Sequence, residues 1–219
     1  MDHLRPQIDG LIEQLATEYR AAPASILTEN DLQCLLVSRL LNLNELRGTR
    51  PTLDASIQGT MVHSEVSWFD ENGRLRLKPD ITILEPGHMS IMTGIGGVQL
   101  PRKGFHFGGR AIIFELKLVR GRSGITSRSV ASIRGDLAKI DRLLRKIETD
   151  GAREDLFCYF VVFSKVDRRS PGFYELLAQY ATNDRLSVVY HSANVIWPRN
   201  HRGTAPNRRV QRTPARGHL

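Results

Sequence analysis

The chain has 219 residues, enough for one domain of generous size with appendages, and 41% of them are apolar, enough to bury a real core. Charged residues make up 25% and the formal net charge is +8, an ordinary balance for a soluble protein with a basic lean. No apolar run approaches the roughly 20 residues of a membrane-spanning helix, and the opening MDHLRPQIDG lacks the basic-then-apolar order of a secretory leader, so a cytoplasmic protein without a membrane partner is expected.

Residues 5–20 read as a helix, because Ile8, Leu11, Ile12, Leu15 and Tyr19 recur at helical spacing. Ala21 to Ser25 break it around Pro23. Thr28 then reads as an N-cap with Asp31 as its capping-box partner, and Leu32, Leu35, Leu36, Leu40 and Leu43 carry a second amphipathic helix to about Leu46. From there the period changes to two. Residues 61–69 place Val62, Val66 and Trp68 on one face and His63, Glu65 and Ser67 on the other. Asp70 to Gly73 form a hairpin turn signal. The next strand, 74–84, places Leu75, Leu77, Ile81 and Ile83 on one face and Arg74, Arg76, Lys78, Asp80 and Thr82 on the other, with Pro79 marking an edge or bulge.

Residues 86–110 form a glycine-rich insert, a long loop or weak hairpin of the kind that is usually functional or mobile. The strand 111–119, AIIFELKLV, is almost wholly apolar and therefore central, covered on both faces. A polar loop over 120–130 leads to a helix at 131–148 with Ile133, Leu137, Ile140, Leu144 and Ile147 on its buried stripe. Residues 156–163 are another buried strand, about 173–182 a short helix and 186–191 a last strand. This order predicts a single α/β domain over 1–197, a mixed sheet flanked by helices, with 5–20 as an N-terminal extension. Residues 198–219, with six Arg and no acid, read as a basic disordered tail. Cys34 and Cys158 read as small buried hydrophobes, neither a disulfide nor a zinc site.

Two charges interrupt the most apolar strand. Glu115 and Lys117 stand two apart and emerge from the same face of the sheet. Burying them is costly unless they pair or serve a chemistry; a salt bridge at the sheet margin is the plain alternative. Asp80, in the one Pro-Asp dipeptide of the chain, sits on the polar side of the preceding strand. If the two strands are neighbours, Asp80 and Glu115 converge, and two converging carboxylates need a cation or a proton between them. Glu65, one strand further out, would either join this cluster or pair with Arg74 or Arg76 across the hairpin. His63 reads as a surface residue.

Pro79-Asp80 and Glu115-Leu116-Lys117, following a helix that begins at Glu29 and a hairpin, resemble the PD-(D/E)XK nucleases, the restriction-endonuclease-like superfamily, over roughly residues 25–190. The glycine-rich insert makes the separation of Asp80 from Glu115 longer than the family's usual short spacing. The resemblance implies an α-β-β-β-α-β core and a nuclease, with DNA as the first substrate. It implies Asp80, Glu115 and Lys117 as catalytic residues and Mg²⁺, or Mn²⁺ in its place, held by Asp80, Glu115, the carbonyl of Leu116 and Glu29. Lys117 would orient or deprotonate the attacking water, or balance charge on the phosphate. For Glu29 the competing role is that of an acid favoured in the first turn of a helix.

Positive charge is segregated, which fits a polyanion partner. Residues 119–146 carry eight Lys/Arg against two Asp. Arg120, Arg122 and Arg128 would clamp a nucleic-acid backbone from the polar loop. Arg134 and Lys139 on the following helix would meet phosphates or pair within the helix, as Asp141 is expected to do with Arg145. A non-catalytic nucleic-acid- or protein-binding member of the same fold is the alternative, and a second copy of the chain or a targeting subunit are the further partners the resemblance allows.

Overall fold

The computed structural model describes residues 1–54, 56–69, 75–91, 106–149 and 156–195. The Asp70–Gly73 turn, most of the glycine-rich insert and the basic tail lie outside the described residues. Five strands form the central sheet: β1 (Val62–Ser64), β2 (Ile81–Leu84), β3 (Ala111–Val119), β4 (Leu156–Ser164) and β5 (Leu186–Ser192), in the spatial order β5-β4-β3-β2-β1. β1, β2 and β3 run antiparallel in turn, whereas β3, β4 and β5 are parallel. The sheet is therefore mixed, and its parallel half requires crossover helices. These are α3 (Ser127–Thr149) between β3 and β4 and α4 (Pro171–Tyr180) between β4 and β5; α1 (Arg5–Ala21) and α2 (Glu29–Leu40) cover the other face.

Period-two alternation divides β3 and β4 between two cores. Ile112, Phe114, Leu116 and Leu118, with Tyr159, Val161 and Phe163, pack under α1 and α2. Ile113, Cys158, Phe160 and Val162 pack under α3 and α4 with Ile133, Leu137, Ile140, Phe173 and Leu176. The Phe114 and Tyr159 rings stack at 5.1 Å, and the Tyr159 hydroxyl donates to Asp9 at 2.9 Å, which fastens α1 to the sheet. The N-terminal helix is thus part of the main core, not an appendage to it. No helix among the described residues is long and apolar enough to cross a membrane.

Several expectations need correction. The strand expected over 61–69 is interrupted: Glu65 adopts φ 56° and donates its N–H to the Asp80 carbonyl at 3.1 Å, so β1 ends at Ser64 and Trp68–Phe69 pairs separately with Leu75–Leu77. The strand expected over 74–84 breaks at Lys78–Asp80. Pro79 has no N–H for a ladder, and the break changes which face the alternation serves. Leu77 packs under α3, whereas Ile81 and Ile83 pack under α2, and Thr82, expected on a polar face, is fully buried. The second helix ends at Leu40, and turns carry Leu46 into the core. Helix α3 begins at Ser127, earlier than its apolar stripe predicts, so Arg128 belongs to the helix and not to the loop; the side chain of Ile147 lies outside the described residues. Cys158 is buried but Cys34 is exposed. The Thr28–Asp31 capping box is present. At the base of the insert, Met89–Ser90 pairs with His106–Phe107, in the manner of the weak hairpin alternative.

Two loops beyond the carboxyl ends of β3 and β4 are locked together. Lys165 donates its N–H to Val119 O at 3.0 Å, Ile125 to Arg168 O at 2.7 Å, and Ser170 to Ile125 O at 3.0 Å. Gly124 allows this approach: its φ is +65°, and a Cβ there would stand 2.3 Å from the Arg168 carbonyl. Gly124→Ala is expected to lower unfolding stability by roughly 1–3 kcal/mol, read from urea denaturation; an unchanged midpoint would mean the two loops are not in contact.

Candidate active site

Pairing of β2 with β3 sets Ile81 against Phe114, where the ladder ends, and Asp80 and Glu115 are the next residues on from that pair. Ile113 packs under α3 and Lys117 pairs with Asp136 of that helix, so Glu115 and Lys117 emerge on the α3 face, while Asp80 reaches the edge of β3 beside them. The β2 ladder stops at Ile81, which leaves the edge of β3 without a strand partner alongside Leu116 and Leu118. Carboxylates take that place. Asp80 Oδ2 accepts from Leu116 N–H at 2.6 Å, and Glu29 Oε1, from the first turn of α2, accepts from Leu118 N–H at 3.1 Å. A strand residue directs its N–H and C=O to the same edge, so the Leu116 carbonyl leaves the strand beside these two acids. Gln33, one turn after Glu29, donates from Nε2 to the Asp80 carbonyl at 2.5 Å. The break at Pro79 and the capped start of α2 together aim two acids at one stretch of β3.

Lys117 lies between acids. Its Nζ is 2.9 Å from Glu115 Oε1 and 3.2 Å from Asp136 Oδ2. Asp136, on α3, also accepts from Lys139 at 2.8 Å. Side-chain exposure is 14% for Glu115, 18% for Asp136 and 22% for Lys117, so solvent screens this network only weakly. Burial raises the Asp80 carboxyl pKa, with Glu29 and Glu65 adding to the rise against the opposing Leu116 hydrogen bond and Lys117 charge. Burial likewise raises Glu115, joined by the charges of Asp80 and Asp136 and opposed by Lys117. For Lys117, burial pulls the pKa down, but Glu115, Asp136 and Glu29 together raise it above its ordinary value, so its ammonium stays charged. Asp136 is lowered: burial works against this, and the two lysines outweigh it.

Asp80 Oδ1 and Glu115 Oε2 make no hydrogen bond among the described residues. Among those residues no cluster of three or more His, Cys, Asp or Glu side chains that could hold a metal ion occurs. What the site offers a hard cation is therefore a carboxylate pair whose pKa values are raised partly by neighbouring negative charge. A backbone carbonyl at the same edge and water would complete the shell. That donor set suits Mg²⁺, which keeps several waters and takes one or two carboxylates.

The predicted residues divide into two groups. Asp80 and Glu29 meet the β3 edge at Leu116 and Leu118, and Lys117 pairs with Glu115, without the three acids forming a metal-holding cluster among the described residues. Glu65 pairs with Lys78, and its charge is felt by Asp80; Arg74 and the side chain of Arg76 lie outside the described residues. His63 is half-buried with Nε2 2.9 Å from Thr60 O, and burial lowers its pKa. Arg120, Arg122, Arg128 and Arg134 are exposed. Lys139 takes the intrahelical alternative by pairing with Asp136, and Arg145 pairs with Asp141 at 2.6 Å. Sequence reading passed over Asp136 and Gln33. Asp136 sits off the apolar stripe of α3 among ordinary intrahelical pairs, and only the packing of α3 on β3 distinguishes it.

Compared with models of known protein families, with curated proteins and with solved structures, the chain matches none.

Proposed function

We propose that this chain is a metal-dependent nuclease of the PD-(D/E)XK type, built on a restriction-endonuclease-like core and hydrolysing phosphodiester bonds, with DNA as the first substrate. The observation that carries the reading is the approach of Asp80 to Glu115 and Lys117 at the edge of β3 where the β2 ladder ends. The strand order β5-β4-β3-β2-β1 agrees with an α-β-β-β-α-β core, and the segregated positive charge suits a polyanionic substrate.

Asp80 and Glu115, with the Leu116 carbonyl, would hold Mg²⁺ or Mn²⁺, and Glu29, which accepts from Leu118 N–H, is the further acid of that set. The bound ion would supply Lewis-acid polarisation of the phosphate and a more acidic water. Lys117 narrows to one of its possible roles. A lysine whose pKa is raised is a poor proton acceptor at neutral pH, so Lys117 acts as a fixed cation and hydrogen-bond donor toward the phosphate. Asp136 holds the Lys117 ammonium together with Glu115 and helps to keep it charged.

The test is incubation of the full chain with end-labelled DNA and RNA, in chelator, Mg²⁺ and Mn²⁺. The reading requires metal-dependent cleavage that Asp80→Asn abolishes; binding without cleavage under any metal supports the non-catalytic alternative. That alternative has one observation in its favour: the charges of Lys117 and Lys139 already balance those of Glu115 and Asp136 locally. Asp136→Asn separates positioning from simple support. Cleavage is expected to fall about tenfold, in line with the loss of a group that orients another, with the alkaline limb of the pH–rate profile moved to lower pH, and Asp136→Glu should restore part of both. A lower melting temperature with an unmoved pH profile would reduce Asp136 to a structural ion pair.

A further inference from the structure

The locked loops beyond β3 and β4 present one basic surface. Residues 120–130 bring Arg120, Arg122 and Arg128, all exposed and with no acid among them, and residues 165–169 bring Lys165, Arg168 and Arg169 against Asp167 alone. Because Gly124 seats on the Arg168 carbonyl, these side chains stand on a common rigid shelf rather than on two independent loops. Arg169, beside Ile125 where the two loops meet, carries an aromatic stack. The Arg169 guanidinium carbon lies 4.8 Å from the Tyr174 ring centre and 5.0 Å from that of Tyr190. Asp167 fixes the arrangement, 3.1 Å from Arg169 Nε and accepting from the Tyr190 hydroxyl at 3.1 Å. Tyr190 lies beneath against Phe173, whereas Tyr174 remains 51% exposed.

We propose that this shelf binds single-stranded nucleic acid, with one unpaired base stacked on Tyr174 and the flanking phosphates held by Arg120, Arg122, Arg128 and Arg168. A large exposed aromatic side chain fits either a protein partner or a base. The basic surroundings favour the polyanion, and the guanidinium behind the ring fixes the platform in advance, so little entropy is lost when a base settles on it. Stacking is indifferent to sequence, since every base has a π-face. The shelf begins at Val119, two residues after Lys117, roughly 7 Å along an extended strand. It also lies on the α3 and α4 side of the sheet, the side from which Lys117 emerges. A strand lying on it would lead toward the Asp80–Glu115–Lys117 site, so substrates with an unpaired end would be preferred; that last step rests on the nuclease reading, whereas the binding itself does not.

The experiment uses the full chain in chelator, where cleavage cannot interfere, with single-stranded DNA and RNA oligonucleotides carrying 2-aminopurine and with a blunt duplex of the same sequence. Tyr174→Leu is expected to weaken single-strand binding about tenfold and to remove the stacking-induced quenching of 2-aminopurine, while duplex affinity is unchanged. Tyr174→Phe should behave as the parent. Arg168→Ser should lower the salt dependence of single-strand binding by about 0.7 in log–log slope. Comparison of the DNA and RNA arms names the sugar. Parent-like binding and quenching by Tyr174→Leu overturns the shelf, and so does failure of every oligonucleotide to bind, which would give the face to a protein partner. If Tyr174-dependent binding is found but no metal ever supports cleavage, the shelf stands and the nuclease reading falls. If metal-dependent cleavage is found but binding and quenching do not depend on Tyr174, the nuclease reading stands and the shelf falls.

Discussion

Asp80→Asn, Glu115→Gln and Lys117→Met are each expected to lower metal-dependent cleavage by on the order of 10²–10³-fold or more, the scale set by removing one preorganised charge from a reacting phosphate. The substitutions are chosen to keep shape. Asp80→Asn keeps a side-chain oxygen that can still accept from Leu116 N–H, which Asp80 Oδ2 meets at 2.6 Å, so the edge of β3 stays capped. Glu115→Gln retains a carbonyl oxygen toward Lys117 while removing the negative charge. Lys117→Met keeps the length of the chain between Glu115 and Asp136 and removes the cation. Loss of activity with retained folding therefore reports charge and not collapse. Single-turnover cleavage of labelled DNA in Mn²⁺ and Mg²⁺, alongside circular dichroism of each variant, makes the measurement. The pattern across the three matters as much as the size. Groups acting on one reacting centre are strongly non-additive, so the Asp80→Asn/Glu115→Gln double variant should lose little beyond the worse single. Three variants that all cleave like the parent would remove the assigned centre, whatever activity the chain retains elsewhere.

Which parts of this site could be read in advance follows from how each residue reaches it. β3 was legible because a nine-residue run so apolar has only a buried central strand as its fit, and the two charges within it stood out for that reason. The capping box at Thr28 and Asp31 located the start of α2 from side-chain chemistry alone. The hairpin was less legible. Alternation continues through Pro79 on paper, but the chain breaks there, and the residues before and after it serve opposite cores. The Glu65 turn, with its positive φ, falls on a residue type that gives no local warning. Asp136 was illegible for a different reason: its role is set by the angle at which α3 crosses β3, a tertiary quantity. The shelf depends on Gly124 meeting Arg168, residues far apart in the chain, and no pattern in either segment announces that contact.

Divalent cation is expected to stabilise the parent protein and to leave Asp80→Asn and Glu115→Gln nearly unmoved. In chelator the sign runs the other way. The folded-state pKa values of Asp80 and Glu115 are raised, by burial first and then by nearby negative charge, with the Leu116 N–H and Lys117 opposing. A carboxyl raised on folding contributes stability that is full below its unfolded pKa, near 4, and lost as pH climbs through its higher folded value. At neutral pH the apo fold therefore carries an unfavourable charge at each position, and Asp80→Asn should melt above the parent. That advantage should shrink as the pH falls toward about 4, where the parent carboxyl is itself protonated. Asp136 has the opposite sign, because Lys139 and Lys117 lower it in spite of burial; its contribution holds above its unfolded pKa and fades as pH falls through the folded value. Acid titration of the parent alone thus mixes two trends, and the difference between parent and Asp80→Asn isolates one. Adding Mg²⁺ or Mn²⁺ at a hundredfold over its dissociation constant would stabilise the parent by about 2.7 kcal/mol. For a domain of this size that is a rise in melting temperature of roughly 5–10 °C, enough to reverse the order of parent and variant. Scanning calorimetry with and without metal decides it. Equal shifts in all three proteins would place the ion elsewhere, and no shift in the parent would mean that the paired carboxylates hold no cation and that their raised pKa values have another use.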